Sequence, residues 1–322
     1  MFEDFRVLIH NDNTADLTAA LKHRFPQVAV QECNSYDGLP EAITDFKPDA
    51  VYTVRFAGTK GFPKDALLSE DGPRWIANGG AGTDHFGHWD TKRVTITNAA
   101  GVAADMMAEY IFGGFLHFTL NIPGFQADKV SKTWSARRVT PLRGKTLLIV
   151  GLGNTGRAVA LRAKAFGMRV IGTRARAVEM EHLDEVHSAD DLPNLLPKAD
   201  FIAVCTPLIP QTKGLLGIAE FDAMKAGVIL ADVSRGTVVD QSALSRALSS
   251  GQVAAAVLDV FEQEPLPVSS PLWDQKNVII SPHCSSVYDG WEIASFDIFL
   301  DNLQRWFDGE ELKNIVDPDR GY

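Results

Sequence analysis

The sequence has few cysteines, no excess of positive charge and no long hydrophobic run. Its three cysteines, Cys33, Cys205 and Cys284, form no CxxC pair, which suits a reducing compartment better than a disulfide framework. Its 31 Lys and Arg are outnumbered by 41 Asp and Glu, a balance that argues against nucleic-acid binding. No apolar run approaches the roughly 18 residues of a membrane span, and the N-terminus lacks the apolar region of a signal peptide. We therefore expect a cytoplasmic protein without a membrane or nucleic-acid partner.

The spacing of apolar residues predicts an α/β protein. The 322 residues, 45% of them hydrophobic, suffice for about two domains. Short β-branched runs alternate with helix-like segments near the N-terminus, which indicates a parallel sheet with covering helices; they lie at 6–10, 27–32, 50–55 and 94–98. Later runs are more continuously apolar, as in sheets buried on both faces; they lie at 144–151, 169–174, 201–205, 227–234, 253–261 and 278–282. Helices are predicted at 14–25, 157–166, 191–196, 218–223 and 241–249, with a buried or interface helix at 106–120 and a helix followed by a polar tail within 291–322.

A GxGxxG segment follows the first strand of the second series and opens a helical pattern. In this context the glycines permit a tight turn, close approach of a pyrophosphate and close packing of helix on strand, while the helix N-terminus offers free N–H groups to the anion. The alternative is a glycine-rich turn without a ligand. We predict dinucleotide contacts from Gly151, Leu152, Gly153, Asn154, Thr155 and Gly156.

The next strand ends without the acidic residue typical of NAD sites. An Asp or Glu at this place accepts from the ribose 2′-hydroxyl of NAD, whereas this sequence has Thr173, Arg174 and Arg176. A guanidinium binds a 2′-phosphate that a carboxylate would repel. The segment therefore predicts NADP as the cofactor, with NAD less favoured; the alternative is two solvated arginines that do not discriminate.

The sequence resembles the D-isomer-specific 2-hydroxyacid dehydrogenase family over almost its whole length. The resemblance is carried by segments 78–86, 94–110, 142–160, 205–217, 232–240, 258–265 and 281–286. It implies two Rossmann-like domains with doubly wound parallel sheets, the cofactor domain being inserted into the substrate domain. Residues 1–98 and 290–322 would form the substrate domain, and residues 99–289 the dinucleotide-binding domain. It also implies a homodimer formed through the cofactor domain.

Three catalytic residues follow from the resemblance. The motif DVSRG places the catalytic arginine at Arg235, the motif DVFEQEP places the glutamate at Glu264, and SPH places the histidine at His283. A histidine can deliver a proton to the carbonyl oxygen of a 2-oxo acid near neutral pH, a glutamate can orient it, and an arginine can hold the substrate carboxylate. Singly, each could be a surface or turn residue. Each follows an apolar strand, where such sheets bind ligands.

Further contacts are implied by the same resemblance. Beside the cofactor it places Cys205, Thr206, Pro207, Val233, Ser234, Asp259 and Ser285, with Asp259 near the nicotinamide. The substrate would meet Arg55, Phe56, Ala81 and Gly82, the last two in a glycine-rich loop whose N–H groups form a nest for a carboxylate. The cluster Asp84, His85, His88 and Asp90 has the residue types of a metal site, but we interpret it as a structural turn and expect no metal.

The sequence thus predicts an oxidoreductase that reduces a small 2-oxo acid, glyoxylate- or hydroxypyruvate-like, to a D-2-hydroxy acid with NADPH. Alternatives are a dehydrogenase for larger 2-oxo acids, a formate or phosphite dehydrogenase, and a dinucleotide-sensing interaction protein like the corepressor relatives of the family. Glu264 argues against formate chemistry, for which the resemblance implies glutamine at that position.

Overall fold

The chain separates into two units in the computed structural model, which describes residues 4–55, 61–318 and 320. Unit 1 comprises Met1–Val102 and Tyr288–Tyr322, and unit 2 comprises Ala103–Val287. Unit 2 is therefore one continuous segment inserted into the sequence of unit 1, whereas the resemblance put the boundaries at 98/99 and 289/290.

Unit 1 contains a five-stranded parallel sheet in the order β2-β1-β3-β4-β5. Its strands are β1 Arg6–His10, β2 Ala29–Cys33, β3 Ala50–Thr53, β4 Trp75–Asn78 and β5 Thr95–Asn98. Its helices are α1 Ala15–Arg24, α2 Leu39–Phe46, α3 Lys64–Leu68 and, from the C-terminal segment, α10 Trp291–Asp308. Helix α10 buries Phe296 and Phe299 against Tyr52 and Trp75 of the sheet. The chain end is thereby part of the unit 1 core.

Unit 2 contains a seven-stranded parallel sheet in the order β12-β11-β10-β9-β6-β7-β8. Its strands are β6 Thr146–Val150, β7 Arg169–Arg174, β8 Glu185–Ser188, β9 Phe201–Val204, β10 Val228–Asp232, β11 Val253–Leu258 and β12 Val278–Ile280. Its helices are α4 Ala104–Thr119, α5 Ile122–Ser131, α6 Asn154–Ala165, α7 Leu192–Leu195, α8 Ile218–Ala223 and α9 Gln241–Ser250. Buried clusters cover both faces of this sheet, as its continuous apolar strands require.

The predicted fold class of two Rossmann-like α/β domains is confirmed. Two strands lie outside the predicted runs. Strand β4, with the sequence WIAN, has a single β-branched residue, and β8 is a half-buried edge strand of mixed polarity. In the part of the chain that the structure describes, no helix has the length and apolarity needed to cross a bilayer.

Both sheets have a point at which the strand order reverses. In unit 2 it lies between β6 and β9, and in unit 1 between β1 and β3. In open α/β sheets, ligands bind outside the carboxyl ends of the strands at this reversal. The carboxyl ends of the strands in both sheets are therefore the expected places for ligands.

Candidate active site

The glycine loop of unit 2 has the backbone that a dinucleotide phosphate requires. Gly151 follows β6 with φ of 101°, and a Cβ there would lie 2.8 Å from Thr206 Cα. A Cβ on Gly156 would overlap the carbonyl of Gly151, whereas one on Gly153 would meet nothing within 4 Å. The loop is therefore closely packed at Gly151 and Gly156, and it has free space at Gly153, where an anion would lie. Helix α6 starts at Asn154 and points its N-terminus at this opening.

Not every predicted loop contact faces outward. The N–H groups of Gly151 and Leu152 donate to the carbonyl of Thr173 at 3.2 and 3.1 Å. The Leu152 side chain is buried against Gly172. Gly153 and Asn154 are exposed. The residues present fit a pyrophosphate bound from Gly153 onward.

Two arginine side chains lie at and just after the end of strand β7. Thr173 is buried, while Arg174 is partly exposed and Arg176 exposed. The Arg174 guanidinium lies 3.3 Å from the sulfur of Met180. The two guanidinium groups are thus available to a phosphate.

The predicted contacts after β9 and β10 differ in exposure. Pro207 is exposed, whereas Cys205 and Thr206, whose backbone packs against Gly151 of the glycine loop, are half-buried; burial raises the pKa of the Cys205 thiol. Val233 and Ser234 are buried. The predicted contacts after β9 are thus more accessible than those after β10.

His283 and Glu264 form a hydrogen-bonded pair. His283 Nδ1 lies 2.9 Å from Glu264 Oε2, and both side chains are about one-third exposed, 36% and 30%. The other carboxylate oxygen of Glu264 accepts from the N–H of Phe261 at 3.0 Å. His283 has a left-handed backbone, φ 53°, which lies outside the regions that side chains usually prefer. The histidine is therefore held by both its ring and its backbone.

Arg235 follows β10, the strand next to β11. Its Nη1 donates to the carbonyl of Ser234 at 2.7 Å. The next residue, Gly236, packs so closely on the backbone of Phe261 that a Cβ would overlap it. Because Phe261 also bonds Glu264, the arginine turn and the His283–Glu264 pair are joined through one residue. Strands β10, β11 and β12 are adjacent and parallel, so all three predicted catalytic residues lie at one sheet edge.

Asp232 is a buried carboxyl group directly before this turn. It accepts from the N–H and the hydroxyl of Ser234, at 2.9 and 2.5 Å. Burial raises its pKa to about 7, an effect that the nearby Asp259 increases and Ser234 and Arg235 oppose. Asp232 is therefore a group that titrates near neutral pH and lies next to the site.

Asp259 is buried and organises the turn that carries His283. Its Oδ1 accepts from the hydroxyl of Ser281 at 2.5 Å and the N–H of Cys284 at 2.8 Å. Its Oδ2 accepts from the hydroxyl of Ser285 at 2.6 Å, and the Ser285 N–H bonds both oxygens. The Asp259 carbonyl accepts from the His283 N–H at 2.9 Å. The Asp259 carboxylate, predicted to lie near the nicotinamide, is thus hydrogen-bonded within the protein. Ser285, another predicted cofactor contact, is one of its partners.

Tyr110 of α4 supports the same turn from below. Its hydroxyl lies 2.6 Å from the Ser281 hydroxyl. Since Ser281 donates its only proton to Asp259, Tyr110 is the donor to Ser281. Burial raises the pKa of Tyr110 to about 12, so the phenol keeps its proton at neutral pH.

The predicted substrate residues lie in unit 1. Arg55 is exposed just beyond β3, and Phe56 lies outside the described residues. Ala81 is exposed and Gly82 half-buried in the loop after β4. Asn78 and Asn98 hold carbonyl groups of this loop by side-chain hydrogen bonds.

The 84–90 turn packs as part of the unit 1 core. His85 makes edge-on ring contact with Phe62, and Phe86 and Trp89 are buried. Among the described residues, no group of three His, Cys, Asp or Glu is placed to hold a metal ion.

The sequence interpretation missed five residues at these edges: Tyr110, Asp232, Asn78, Asn98 and Ser295. Asn78 and Asn98 each end a strand, so a polar residue at a strand terminus was the available signal. Tyr110 and Ser295 stand in helices, α4 and α10. Nothing in the local sequence relates either to its partner.

Comparison with known proteins gives consistent matches. A profile described as "D-isomer specific 2-hydroxyacid dehydrogenase, NAD binding domain" matches residues 112–285, more than half of the chain. A glyoxylate/hydroxypyruvate reductase B from Enterobacter is 41% identical over 324 residues, covering 97% of this chain and 98% of the relative.

Two further matches complete the picture. A D-3-phosphoglycerate dehydrogenase from Methanocaldococcus jannaschii is 33% identical over 281 residues; the match covers 86% of this chain but only about half, 53%, of that longer relative. A crystal structure of a D-isomer specific 2-hydroxyacid dehydrogenase from Xanthobacter autotrophicus, in complex with NADPH and MES, superposes with a TM-score of 0.85 at 29% identity. It covers 99% of this chain and 100% of that one.

Proposed function

We propose a specific reaction for this chain, which belongs to the D-isomer specific 2-hydroxyacid dehydrogenase family and is an oxidoreductase. The reaction is the NADPH-dependent reduction of a small 2-oxo acid to its D-2-hydroxy acid. The observation that carries the proposal is the hydrogen bond between His283 Nδ1 and Glu264 Oε2. This bond leaves the other ring nitrogen of His283, Nε2, facing away from Glu264. Arg235 and the glycine loop lie at the same edge of the sheet.

Each catalytic residue has a separate role in this proposal. The cofactor supplies a hydride to the carbonyl carbon of the substrate. His283 delivers the balancing proton from Nε2 to the carbonyl oxygen and takes it back in the oxidative direction. Glu264 accepts from Nδ1–H, which fixes the tautomer and the orientation of the ring. Arg235 binds the substrate carboxylate and polarises the carbonyl.

The NADP preference is supported by Arg174 and Arg176 at the end of β7. Replacing both by Ala removes charged hydrogen bonds worth about 1.5–3 kcal/mol each. We expect the KM for NADPH to rise on the order of 100-fold or more while the KM for NADH changes little. Arg246→Ala, an exposed arginine of α9, is the matched control. Equal effects on both cofactors would contradict the preference.

Glyoxylate and hydroxypyruvate are the proposed substrates. Relatives named for these activities, including the Enterobacter protein, align with nearly the whole chain. The decisive assay follows nicotinamide absorbance with 2-oxo acids of increasing size and each cofactor in turn. We expect the highest kcat/KM for glyoxylate or hydroxypyruvate with NADPH. Faster turnover of a branched 2-oxo acid would replace the substrate assignment, and no turnover of any of them would contradict the reaction.

We further propose that unit 2 is the dinucleotide-binding domain, that unit 1 is the substrate domain, and that the chain forms a homodimer. Residues 120–139 of unit 2 expose an apolar series: Leu120, Ile122, Phe125, Val130, Trp134 and Val139. Val130 and Trp134 are 85% and 103% exposed, and such patches mark interaction sites.

The oligomeric state tests the dimer. Val130→Asp combined with Trp134→Ser is expected to convert a dimer to a monomer in sedimentation velocity. Val268→Asp is the control, since Val268 is equally exposed, at 97%, outside this series. A wild-type monomer, or a dimer that survives the double substitution, would reject the proposed interface.

A further inference from the structure

The four carbonyl groups of the 79–82 loop in unit 1 are all held from inside by side chains. Asn78 and Asn98 end the adjacent strands β4 and β5, where they are register partners, and Ser295 belongs to α10. The bonds are Ser295 Oγ to Gly79 O at 2.6 Å, Asn78 Nδ2 to Gly80 O at 2.8 Å and to Gly82 O at 3.0 Å, and Asn98 Nδ2 to Ala81 O at 2.7 Å.

These donors are buried and fixed in direction. Asn78, Asn98 and Ser295 are 3%, 6% and 1% exposed. The Tyr52 hydroxyl lies 3.0 Å from Ser295 Oγ; because Ser295 gives its proton to Gly79, Tyr52 must be the donor to Ser295. Burial raises the pKa of Tyr52, so this proton stays in place. All of the side chains that donate hydrogen bonds to the carbonyl groups of this loop are therefore neutral.

The N–H groups of the same loop have the opposite arrangement. In the described part of the chain, the N–H groups of Gly80, Ala81 and Gly82 donate to no acceptor, and Ala81 is exposed. Gly79 must be glycine, since a Cβ would lie 2.5 Å from the Tyr52 hydroxyl and 2.6 Å from a Val54 methyl. With the carbonyls drawn inward, successive N–H groups form a concavity suited to an anion.

We propose that Asn78, Asn98 and Ser295 are positioning residues that hold these N–H groups toward the substrate carboxylate. The proposal rests on the proposed function only for the identity of the ligand as a 2-oxo acid. Neutral donors suit this task because a carboxylate behind the loop would repel the substrate, whereas amides orient the backbone without adding negative charge.

A purely structural role is the competing explanation, and the chain offers a matched residue for it. Asn302 of α10 is a buried asparagine, 1% exposed. It fastens the backbone of Lys313, accepting from its N–H at 2.8 Å and donating to its carbonyl at 2.9 Å. Asn302 lies in the same unit but makes no bond to the 79–82 loop. Loss of either asparagine leaves backbone groups unsatisfied, and only Asn98 should affect the carboxylate.

The kinetic experiment compares Asn98→Ser with Asn302→Ser. Loss of binding shared by ground and transition states raises KM more than it lowers kcat. For Asn98→Ser we expect the KM for glyoxylate to rise roughly tenfold or more, with kcat within about threefold and the KM for NADPH unchanged. Asn302→Ser should lower Tm similarly and leave the glyoxylate KM within about twofold. An unchanged KM in Asn98→Ser, or an equal rise in Asn302→Ser, would overturn the proposal.

A binding experiment gives a readout without turnover. Oxalate, a stable dicarboxylate, is titrated into the ¹⁵N-labelled protein while the amide shifts of Gly80, Ala81 and Gly82 are followed. We expect saturable shifts in the wild type that weaken in Asn98→Ser, or in Ser295→Ala should the first variant not fold, and persist in Asn302→Ser. Oxalate binding at these amides without 2-oxo-acid turnover would refute the proposed function and leave this inference standing. Turnover without any shift at these amides would refute this inference alone.

Discussion

The 79–82 loop of unit 1 and the 281–285 turn of unit 2 both follow strands of a parallel sheet, yet they are held by groups of opposite polarity. In unit 2 a buried acceptor, Asp259, draws N–H and hydroxyl groups inward. In unit 1 buried donors, Asn78 and Asn98 with Ser295, draw carbonyl groups inward. In the first arrangement the backbone N–H groups are hydrogen-bonded inside the protein, and the group left for a ligand is the side chain of His283. In the second arrangement the backbone N–H groups stay available to a ligand.

The contrast shows how the polarity of a buried side chain determines what a sheet edge offers to a ligand. A backbone segment has donors and acceptors in equal number, and those satisfied inside are no longer available outside. An inward acceptor therefore suits a site whose reactive group is a side chain, and an inward donor suits a site that binds an anion.

The largest effect is expected from removing the side chain that the unit 2 turn presents. His283→Ala should lower kcat on the order of 10²–10⁴-fold because the positioned proton donor is lost. The Kd for NADPH, measured by fluorescence titration, should stay unchanged, since His283 is assigned no part in nucleotide binding. Near-normal turnover would remove His283 from the mechanism.

Weakening the buried acceptor is the next most severe change. Asp259→Asn replaces one acceptor oxygen by a donor facing Ser281, Cys284 or Ser285, so we expect the free energy of unfolding to fall by about 2–4 kcal/mol. Turnover should fall with it because the His283 turn loosens. Asp240→Asn, which alters a carboxylate capping α9, should cost less than about 1 kcal/mol, because Asn caps a helix nearly as well as Asp, and should leave kcat intact. Urea unfolding and steady-state kinetics give both quantities, and equal effects of the two substitutions would refute the assigned role of Asp259.

The stability of the two units should change with pH in opposite directions. In unit 1, burial lowers the pKa of His10 to about 4, its Nδ1 lying 2.8 Å from Thr53 Oγ1. Its charged form is disfavoured on folding, so stability falls as the pH drops below 6.5. In unit 2 the raised pKa of Asp232 makes the native state bind a proton up to pH 7, so stability rises as the pH drops.

Between pH 7 and pH 5 each group should change stability by about 2 kcal/mol, with opposite signs. Hydrogen-exchange protection, corrected for intrinsic rates, should therefore decrease in β1 and β3 and increase in β9 and β10. His10→Gln should abolish the first change and Asp232→Asn the second. Parallel changes in both sheets would show that these two groups do not govern the response.

The smallest effect is expected at the support of the unit 2 turn. Tyr110→Phe removes one hydrogen bond to Ser281 and keeps the ring, so unfolding free energy should fall by about 1 kcal/mol and kcat by a few-fold. Tyr288→Phe is the control, because its hydroxyl bonds the carbonyl of Val102 in unit 1. A kcat loss as large as that of His283→Ala would mean that Tyr110 acts directly in the reaction.

Sequence alone determined the fold class, the family and the position of the glycine loop. These follow from local patterns: continuous apolar strands report a sheet buried on both faces, and Gly151, Gly153 and Gly156 serve a turn contained within six residues. The predicted catalytic residues Arg235, Glu264 and His283 each lie in the loop that follows a strand, so a parallel sheet brings them to one edge once its order is known. Their roles remain a proposal that the experiments above test.

Tertiary structure decided which polar groups face inward. Leu152, Thr173 and Asp259, which the sequence predicts as cofactor contacts, have side chains buried in unit 2, and the Asp259 carboxylate is hydrogen-bonded there. The hydrogen bond between Ser295 and Gly79 joins residues 216 positions apart, and the one between Tyr110 and Ser281 joins residues 171 positions apart. Local sequence specifies where a strand ends because backbone and side-chain periodicity are local. The choice between inward donor and inward acceptor depends on a partner that only folding brings near.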